Sequence, residues 1–276
     1  MADPKDSRTR GLVHRVADHS PFALARYHAS PDLEDLVEDV WIVRWDLGDR
    51  APYDQEVLSH PNVTLAVDDG PGGESAVFGV VTGRFVRTLT GRGRAVGVKF
   101  WPGAYAAIHG ARVDALTDRR VPLAIAFGAA GAELQADVGA ETDDDRIVER
   151  LERFLRGLDA RPDEHARRAR AIVARIASDP GLRRVEAVAA AFDTGVRALQ
   201  RLLRAHVGVG PKWLVQRYRL HEALARLTAG ESVDLAALAL ELGYCDQAHL
   251  TREFKRLVGS PPATYGRALR APDGPR

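Results

Sequence analysis

Two stretches of similar design lie 50 residues apart toward the C-terminal end of the sequence. They read LALELGYCDQAHLTREFKR at residues 238–256 and VAAAFDTGVRALQRLLR at residues 188–204. Each begins with a short apolar segment around a central alanine, continues through a turn of three or four residues and ends in an amphipathic segment. This order predicts two helix-turn-helix units, in which Ala189 and Ala239 let the paired helices cross closely.

The residues at the turns support this prediction. Gly243 can adopt the left-handed backbone conformation that such a turn requires, and Asp193 is a tolerated substitute at the equivalent position of the first unit. Asp246 can cap the second helix of the second unit with its side chain.

The second helix of each unit has a polar face opposite its apolar one. Arginine and glutamine at helical spacing match the base edges of the major groove, and neighbouring cations can hold phosphates. An exposed amphipathic helix of any helical domain has a similar pattern, but two copies favour DNA binding. The predicted DNA-binding residues are Arg197, Gln200, Arg201, Arg204, Gln247, His249, Thr251, Arg252 and Arg256.

The charge distribution is uneven along the chain. Residues 166–276 hold 19 Lys and Arg against 10 Asp and Glu, whereas residues 1–165 hold 20 against 28. This asymmetry indicates that only the C-terminal part meets a polyanion, although solvated arginine-rich helix faces would give the same balance. Between the two units, a helix is predicted over about residues 211–229. Its length would separate the two units by nearly one turn of the DNA duplex, which is about 34 Å.

The composition is that of an ordinary globular chain. Its 276 residues, 45% hydrophobic and 28% charged, suffice for one large or two modest domains. The single cysteine, Cys245, excludes an internal disulfide and a cysteine-cluster metal site. The first residues lack the apolar core of a signal peptide, and the longest near-apolar stretch, Val121 to Ala132, is too short to span a bilayer. We therefore expect a cytoplasmic protein that does not contact a membrane.

The N-terminal part is predicted to be rich in β-strands. Short β-branched and aromatic segments alternate with turn signals, which is typical of a sandwich or small barrel. These segments lie at residues 40–45, 57–58, 63–67, 76–81, 85–89 and 95–100. Residues 1–20 are expected to be a polar tail, helices are expected at 103–110 and 123–136, and Thr142 is expected to cap a third helix.

The chain therefore divides into two predicted domains of an α+β protein. Residues 1–160 form the β-rich domain with flanking helices, and residues 165–270 form an all-α domain of seven helices. The junction is predicted at Arg161-Pro162-Asp163-Glu164. The seven helices are placed at about 164–178, 185–192, 195–206, 211–229, 235–242, 246–258 and 262–269.

The C-terminal residues resemble the signature of the AraC/XylS family of bacterial transcription regulators. The resemblance covers about residues 165–270 and is carried by Arg197, Leu199-Gln200-Arg201, Val207-Gly208, Pro211-Lys212, Gly243-Tyr244, Asp246-Gln247, His249-Leu250, Arg252, Phe254-Lys255, Gly259, Pro262 and Tyr265. It implies two helix-turn-helix units, joined by a long helix, that bind promoter DNA. Three positions depart from the pattern: Asp193 stands where glycine is common, Gly195 where a capping serine is usual, and Gly266 where an arginine is common.

The N-terminal part resembles, at residues 58–65 and 91–103, the β-rich sensor domains that precede this DNA-binding domain in actinobacterial members. That resemblance implies a cupin-like sandwich or barrel that either senses a small-molecule effector or forms a homodimer. A third reading is an interaction module, with RNA polymerase as a candidate partner. We expect control by a small molecule or a partner.

Several residues leave alternatives open. Trp41, Trp45, Phe85 and Trp101 are candidate ligand-binding residues, although large aromatic side chains in strand segments more often fill the core. No cofactor, metal site or catalytic residue is expected. His60 and His109 lack the close spacing of the histidine ligands in a metal-binding cupin-like barrel. The alternative function is an enzyme, of cupin-like or DNA-repair activity, that uses the helical domain for DNA targeting.

Overall fold

The computed structural model describes residues 21–229 and 233–270 of the chain. The polar tail predicted at residues 1–20 lies outside the described residues. Within these ranges the N-terminal part is rich in antiparallel β-structure and the C-terminal part is helical, so the expected two-domain α+β architecture is confirmed.

Eight strands form two sheets in the described part of the N-terminal domain. Six of them pair in the order β1-β2-β7-β4-β5-β8, and β3 pairs with β6 in a separate two-stranded ribbon. The pairings are antiparallel. The strands are β1 (Phe22–Tyr27), β2 (Val37–Asp46), β3 (Tyr53–Val57), β4 (Thr64–Asp68), β5 (Ala76–Phe78), β6 (Phe85–Leu89), β7 (Arg92–Phe100) and β8 (Arg120–Pro122).

Four α-helices accompany the sheet in the described residues: α1 (Ala106–His109), α2 (Leu123–Phe127), α3 (Ala129–Ala140) and α4 (Asp144–Gly157). The single helix expected at 123–136 is wrong, because Gly128 at φ +61° and ψ −137° divides α2 from α3. Asp143, not Thr142, caps α4 by accepting from the Arg146 backbone N–H at 3.0 Å. The Asp143 carboxylate takes this role because it directly precedes the first helical residue.

The core of the β-rich domain lies between the sheet and α4. Val40, Val98 and Phe100 from the sheet meet Ile147 and Leu151 from the helix, and each of these side chains is buried. The apolar spacing of α4, with acidic residues in its first turn, explains both its burial and its direction.

The seven C-terminal helices are confirmed almost to the residue. They are α5 (Glu164–Ser178), α6 (Val185–Ala191), α7 (Val196–Val207), α8 (Pro211–Thr228), α9 (Leu235–Glu241), α10 (Gln247–Val258) and α11 (Pro262–Arg270). The two units are therefore α6–α7 and α9–α10, and α8 connects them.

The two turns repeat the same backbone geometry. Asp193 and Gly243 both adopt the left-handed conformation, at φ +45° and +76°, as predicted. The next residue then donates its N–H to the central alanine of the unit, from Thr194 to Ala189 at 3.0 Å and from Tyr244 to Ala239 at 2.8 Å. The repeat in the sequence is therefore a repeat in structure.

The positive φ angles at Asp193 and Gly243 lead to a prediction about the stability of the chain. Asp193→Gly should raise the free energy of unfolding by about 1 kcal/mol, because glycine relieves the strain of a side chain at positive φ. The reciprocal change, Gly243→Ala, should lower it by about 1–2 kcal/mol. Urea unfolding of the full chain measures both, and a stability loss in Asp193→Gly would contradict this reading of the turn.

The two domains share apolar clusters. Leu58, which follows β3, is fully buried among Leu220 and Leu224 of α8 and their neighbours. Val80 is buried with residues of α5 and α7. The predicted domain bounds, at residues 1–160 and 165–270, therefore stay a prediction. Buried side chains from both sides of the predicted junction pack together.

A buried arginine adds a polar contact at the same boundary. Arg217 of α8 is 1% exposed, lies over the Trp213 ring at 4.5 Å and donates to the Thr82 carbonyl at 2.7 Å. Burial lowers the pKa of Arg217 to about 10, so the guanidinium stays charged at neutral pH. Thr82 in turn donates its N–H to Asp118 at 2.7 Å, which joins two loops of the N-terminal domain beside α8.

Candidate DNA-binding surface

The predicted DNA-binding residues lie on the outer faces of α7 and α10. Their counterparts on the inner faces, including Leu199, Leu203, Leu250 and Phe254, are fully buried. Seven of the nine predicted side chains belong to exposed residues, and two, His249 and Thr251, are half-buried. The exposed ones are Arg197, Gln200, Arg201, Arg204, Gln247, Arg252 and Arg256.

Helix α10 begins with the predicted cap. Asp246 accepts a hydrogen bond from the His249 backbone N–H at 2.7 Å, which satisfies one of the free donors in the first turn of the helix. The His249 ring packs edge-on against Tyr244, at 5.2 Å between ring centroids. Both contacts fix the orientation of the part of α10 that would enter a groove.

Helix α7 begins differently. Gly195 occupies its N-cap position, and no side chain accepts a hydrogen bond there. The departure from the family's capping serine therefore has a structural counterpart, and the first unit begins its helix with one fewer constraint than the second.

The connecting helix sets the scale of the surface. Helix α8 has 18 residues and begins with Pro211 at its first turn. At about 1.5 Å per residue it spans about 27 Å, which is shorter than one duplex turn of about 34 Å. Arg219, near its middle, donates to the carbonyls of Arg183, before α6, and Gly243, in the turn of the second unit. The sequence pattern did not single out Arg219, since its role depends on two segments distant in the chain.

The four candidate ligand-binding aromatics do not meet in one pocket. Trp41 and Trp45 lie on β2 against Gly97 and Gly93 of β7, and Trp45 also borders a shallow depression near the start of β1. Phe85 belongs to the two-stranded ribbon. Trp101 lines a different cavity, between the domains.

That interdomain cavity has a volume of about 770 Å³. Its walls come from the β-rich domain and from α5 and α8, and they include Asn62, Trp101, Arg170, Val173, His221 and Leu224. Arg170 lies over the Trp101 ring at 3.9 Å, and the His221 ring stacks on His60 at 4.1 Å. The lining thus combines apolar surface with a few oriented polar groups, as small-molecule sites do.

The position of His221 changes its titration. Burial, together with the charges of Arg217 and Lys99, lowers the pKa of His221 to about 3, opposed in part by a contact with the Ser59 carbonyl at 3.4 Å. The folded chain therefore holds this imidazole neutral where the unfolded chain would bind a proton, below its ordinary pKa of about 6.5.

A pH dependence follows. As the pH falls from about 6.5 toward 3, the unfolded state takes up a proton that the folded state refuses, so the free energy of unfolding falls by at most about 1.4 kcal/mol per pH unit. His221→Gln should flatten this part of the pH profile relative to wild type in thermal unfolding between pH 5 and 7. An unchanged slope would show that folding does not lower the pKa of His221.

Among residues 21–229 and 233–270, no group of three or more His, Cys, Asp or Glu side chains could hold a metal ion. No helix in the same part of the chain has the length and apolar character to cross a membrane.

Comparison with protein families gives two matches. The model described as Helix-turn-helix domain matches residues 188–268, which contain both units. The model described as Domain of unknown function (DUF6597) matches residues 25–122, which run from within β1 to the end of β8. No curated protein matched the chain.

Comparison with solved structures finds a domain of a response regulator and two structures of ToxT. The C-terminal domain of AraT, a response regulator from Geobacillus stearothermophilus, is 24% identical over 42% of this chain and 95% of that chain, with a TM-score of 0.33. ToxT from Vibrio cholerae O395 is 11% identical over 90% and 98%, with a TM-score of 0.43. Unsaturated fatty acid bound ToxT from strain SCE256 is 10% identical over 94% and 99%, with a TM-score of 0.39.

The helix-turn-helix match covers two units whose second helices present exposed polar side chains. The chain is a DNA-binding transcription regulator with an AraC-type helix-turn-helix domain at residues 188–268 behind an N-terminal DUF6597 domain.

Proposed function

We propose that α7 and α10 enter successive major grooves of promoter DNA and that the nine predicted residues form the contact surface. The observation that carries this proposal is the outward placement of seven polar side chains on two helices joined by α8. Arg201 and Arg252, at the centres of the two faces, are assigned to base edges. Arg204 and Arg256, nearer the helix ends, are assigned to phosphates.

The test is a selection of DNA by the full chain from a random duplex library. The expected result is two short half-sites, one per unit, separated by about one helical turn of 10–10.5 base pairs. Binding should weaken steeply as salt rises, because phosphate contacts release counterions. Selection of one half-site only, or of none, would refute reading by both helices.

A charge variant separates the two kinds of contact. Arg256→Gln should weaken binding about equally on selected and unrelated DNA and reduce the salt slope by about 1, as expected for a lost phosphate contact. The measurement is fluorescence anisotropy across a salt series. A loss confined to the selected duplex would instead place Arg256 at a base.

The proposal also assigns control to the N-terminal domain through a small molecule or a partner. This domain contacts the last residue of each reading unit: Thr117 donates to the Gly208 carbonyl at 2.6 Å, and the Arg84 guanidinium lies against Gly259. Gly208 and Gly259 are the left-handed C-caps of α7 and α10. A change in the seating of the N-terminal domain would therefore reach both helices.

The interdomain cavity is the proposed effector site, because its walls belong to both domains. Fractions of cell metabolites that raise the melting temperature of the full chain should also change its affinity for the selected duplex. Metabolites that stabilise the chain and leave DNA affinity unchanged would separate the cavity from control. A homodimer and a contact with RNA polymerase stay predictions.

A further inference from the structure

Arg219 joins three segments that are far apart in the chain. It lies near the middle of α8, and its guanidinium donates to the carbonyl of Arg183, which precedes α6, and through Nη1 to the carbonyl of Gly243 at 3.3 Å. One side chain therefore holds the start of the first unit and the turn of the second.

The turn of the second unit is packed tightly against this junction. A Cβ atom at Gly243 would lie 3.2 Å from Arg183 Cδ and 3.4 Å from Arg219 Nη2. The Arg219 guanidinium also lies 5.8 Å from the centre of the Tyr244 ring, and that ring contacts His249 of α10 edge-on. A shift of Arg219 would thus be felt at the reading helix of the second unit.

We propose that Arg219 is a positioning residue that fixes the spacing and rotation between α7 and α10, and so selects the spacing of the two half-sites without itself binding DNA. The inference rests on the proposed reading by both helices. Its physical basis is the planar guanidinium fork, which donates to two carbonyls in fixed directions, whereas a lysine ammonium is a single point of donors. Half-site spacing is sensitive to such a constraint, because each base pair adds about 3.4 Å and roughly a tenth of a turn.

The experiment compares full-length Arg219→Met, Arg219→Lys and wild type on a duplex series. The series carries the two half-sites selected by wild type, with their separation changed by one base pair at a time over two steps in each direction. Wild type should lose about tenfold or more in affinity per step, as for a misplaced rigid contact. Arg219→Met should vary by less than about threefold across the series, and Arg219→Lys should fall between them.

Arg175→Met is the matched control. Arg175 is an exposed arginine of the same domain, and its ion pair is with Asp179, four residues further on. The substitution Arg175→Met removes one positive charge without loosening the contact between the units. The dependence of its DNA affinity on half-site separation should therefore match that of wild type. Circular dichroism of all variants monitors the fold, and Arg219→Lys keeps the comparison open if Arg219→Met unfolds.

Three outcomes would overturn the proposal. Arg219 variants with the wild-type spacing profile would show that other contacts fix the units. An equal loss at every spacing, with the salt slope reduced by about 1, would make Arg219 a phosphate ligand. A wild type that selects a single half-site would refute the proposed reading by both helices, and this role of Arg219 with it.

Discussion

The double variant Arg201→Ala, Arg252→Ala should lose most of the sequence-specific affinity for the selected operator. Each arginine at a base edge contributes about 1–3 kcal/mol of discrimination, and the two residues lie on separate helices, so their losses should add to about 2–6 kcal/mol. Both are exposed, and neither lies in the packed interior, so the loss should come without a change in stability.

The single variants show which half-site each helix reads. Arg201→Ala should relax the preference at one base position of one half-site, and Arg252→Ala at one position of the other, when the library selection is repeated. Arg175→Ala, which removes an exposed charge of α5, serves as the control and should retain the wild-type preference. If both reading variants select the wild-type operator with unchanged preferences, the assignment of Arg201 and Arg252 to bases is wrong.

The second large effect is on stability. Leu58→Ala should lower the free energy of unfolding by about 2–5 kcal/mol, the range for removing a fully buried leucine side chain. Because Leu58 belongs to the β-rich domain yet packs among Leu220 and Leu224, the loss should be felt in the helical domain. Hydrogen exchange of α8 amides should quicken accordingly.

Leu36→Ala is the control for this effect. Leu36 is 2% exposed and packs inside the core of the β-rich domain. It should cost a comparable amount of stability while leaving exchange in α8 closer to wild type. Equal exchange in α8 for Leu58→Ala and wild type would show that the two domains unfold independently.

Much of the helical domain could be predicted from the sequence, because its signals are local. The left-handed turn at Gly243, the cap at Asp246 and the proline at the start of α8 each act within a few residues of where they stand. The same holds for Asp193, which adopts the predicted conformation without being glycine. Local signals of this kind are consistent with the fold and mark the helix boundaries.

The contacts between domains could not be predicted in this way. Leu58 and Val80 look like ordinary strand residues, and only the tertiary fold places them against α8 and α5. The aromatic residues show the same limit: Trp101 reaches the interdomain cavity, whereas Trp41 and Trp45 pack on glycines of the neighbouring strand. Residue type indicated a large apolar side chain in each case, and pairing across the sheet decided its surroundings.

The contacts at Gly208 and Gly259 carry a consequence for protein engineering. A chimeric biosensor that fused residues 165–270 directly to a foreign sensing module would lack the contacts of Thr117 and Arg84 with the C-terminal ends of α7 and α10. It would also expose to solvent the apolar side chains of α8 that pack against Leu58. A chimera that uses this DNA-binding domain should therefore also include the segments around residues 56–60, 80–84 and 113–118. Its boundaries would then be set by side-chain packing and not by position in the sequence.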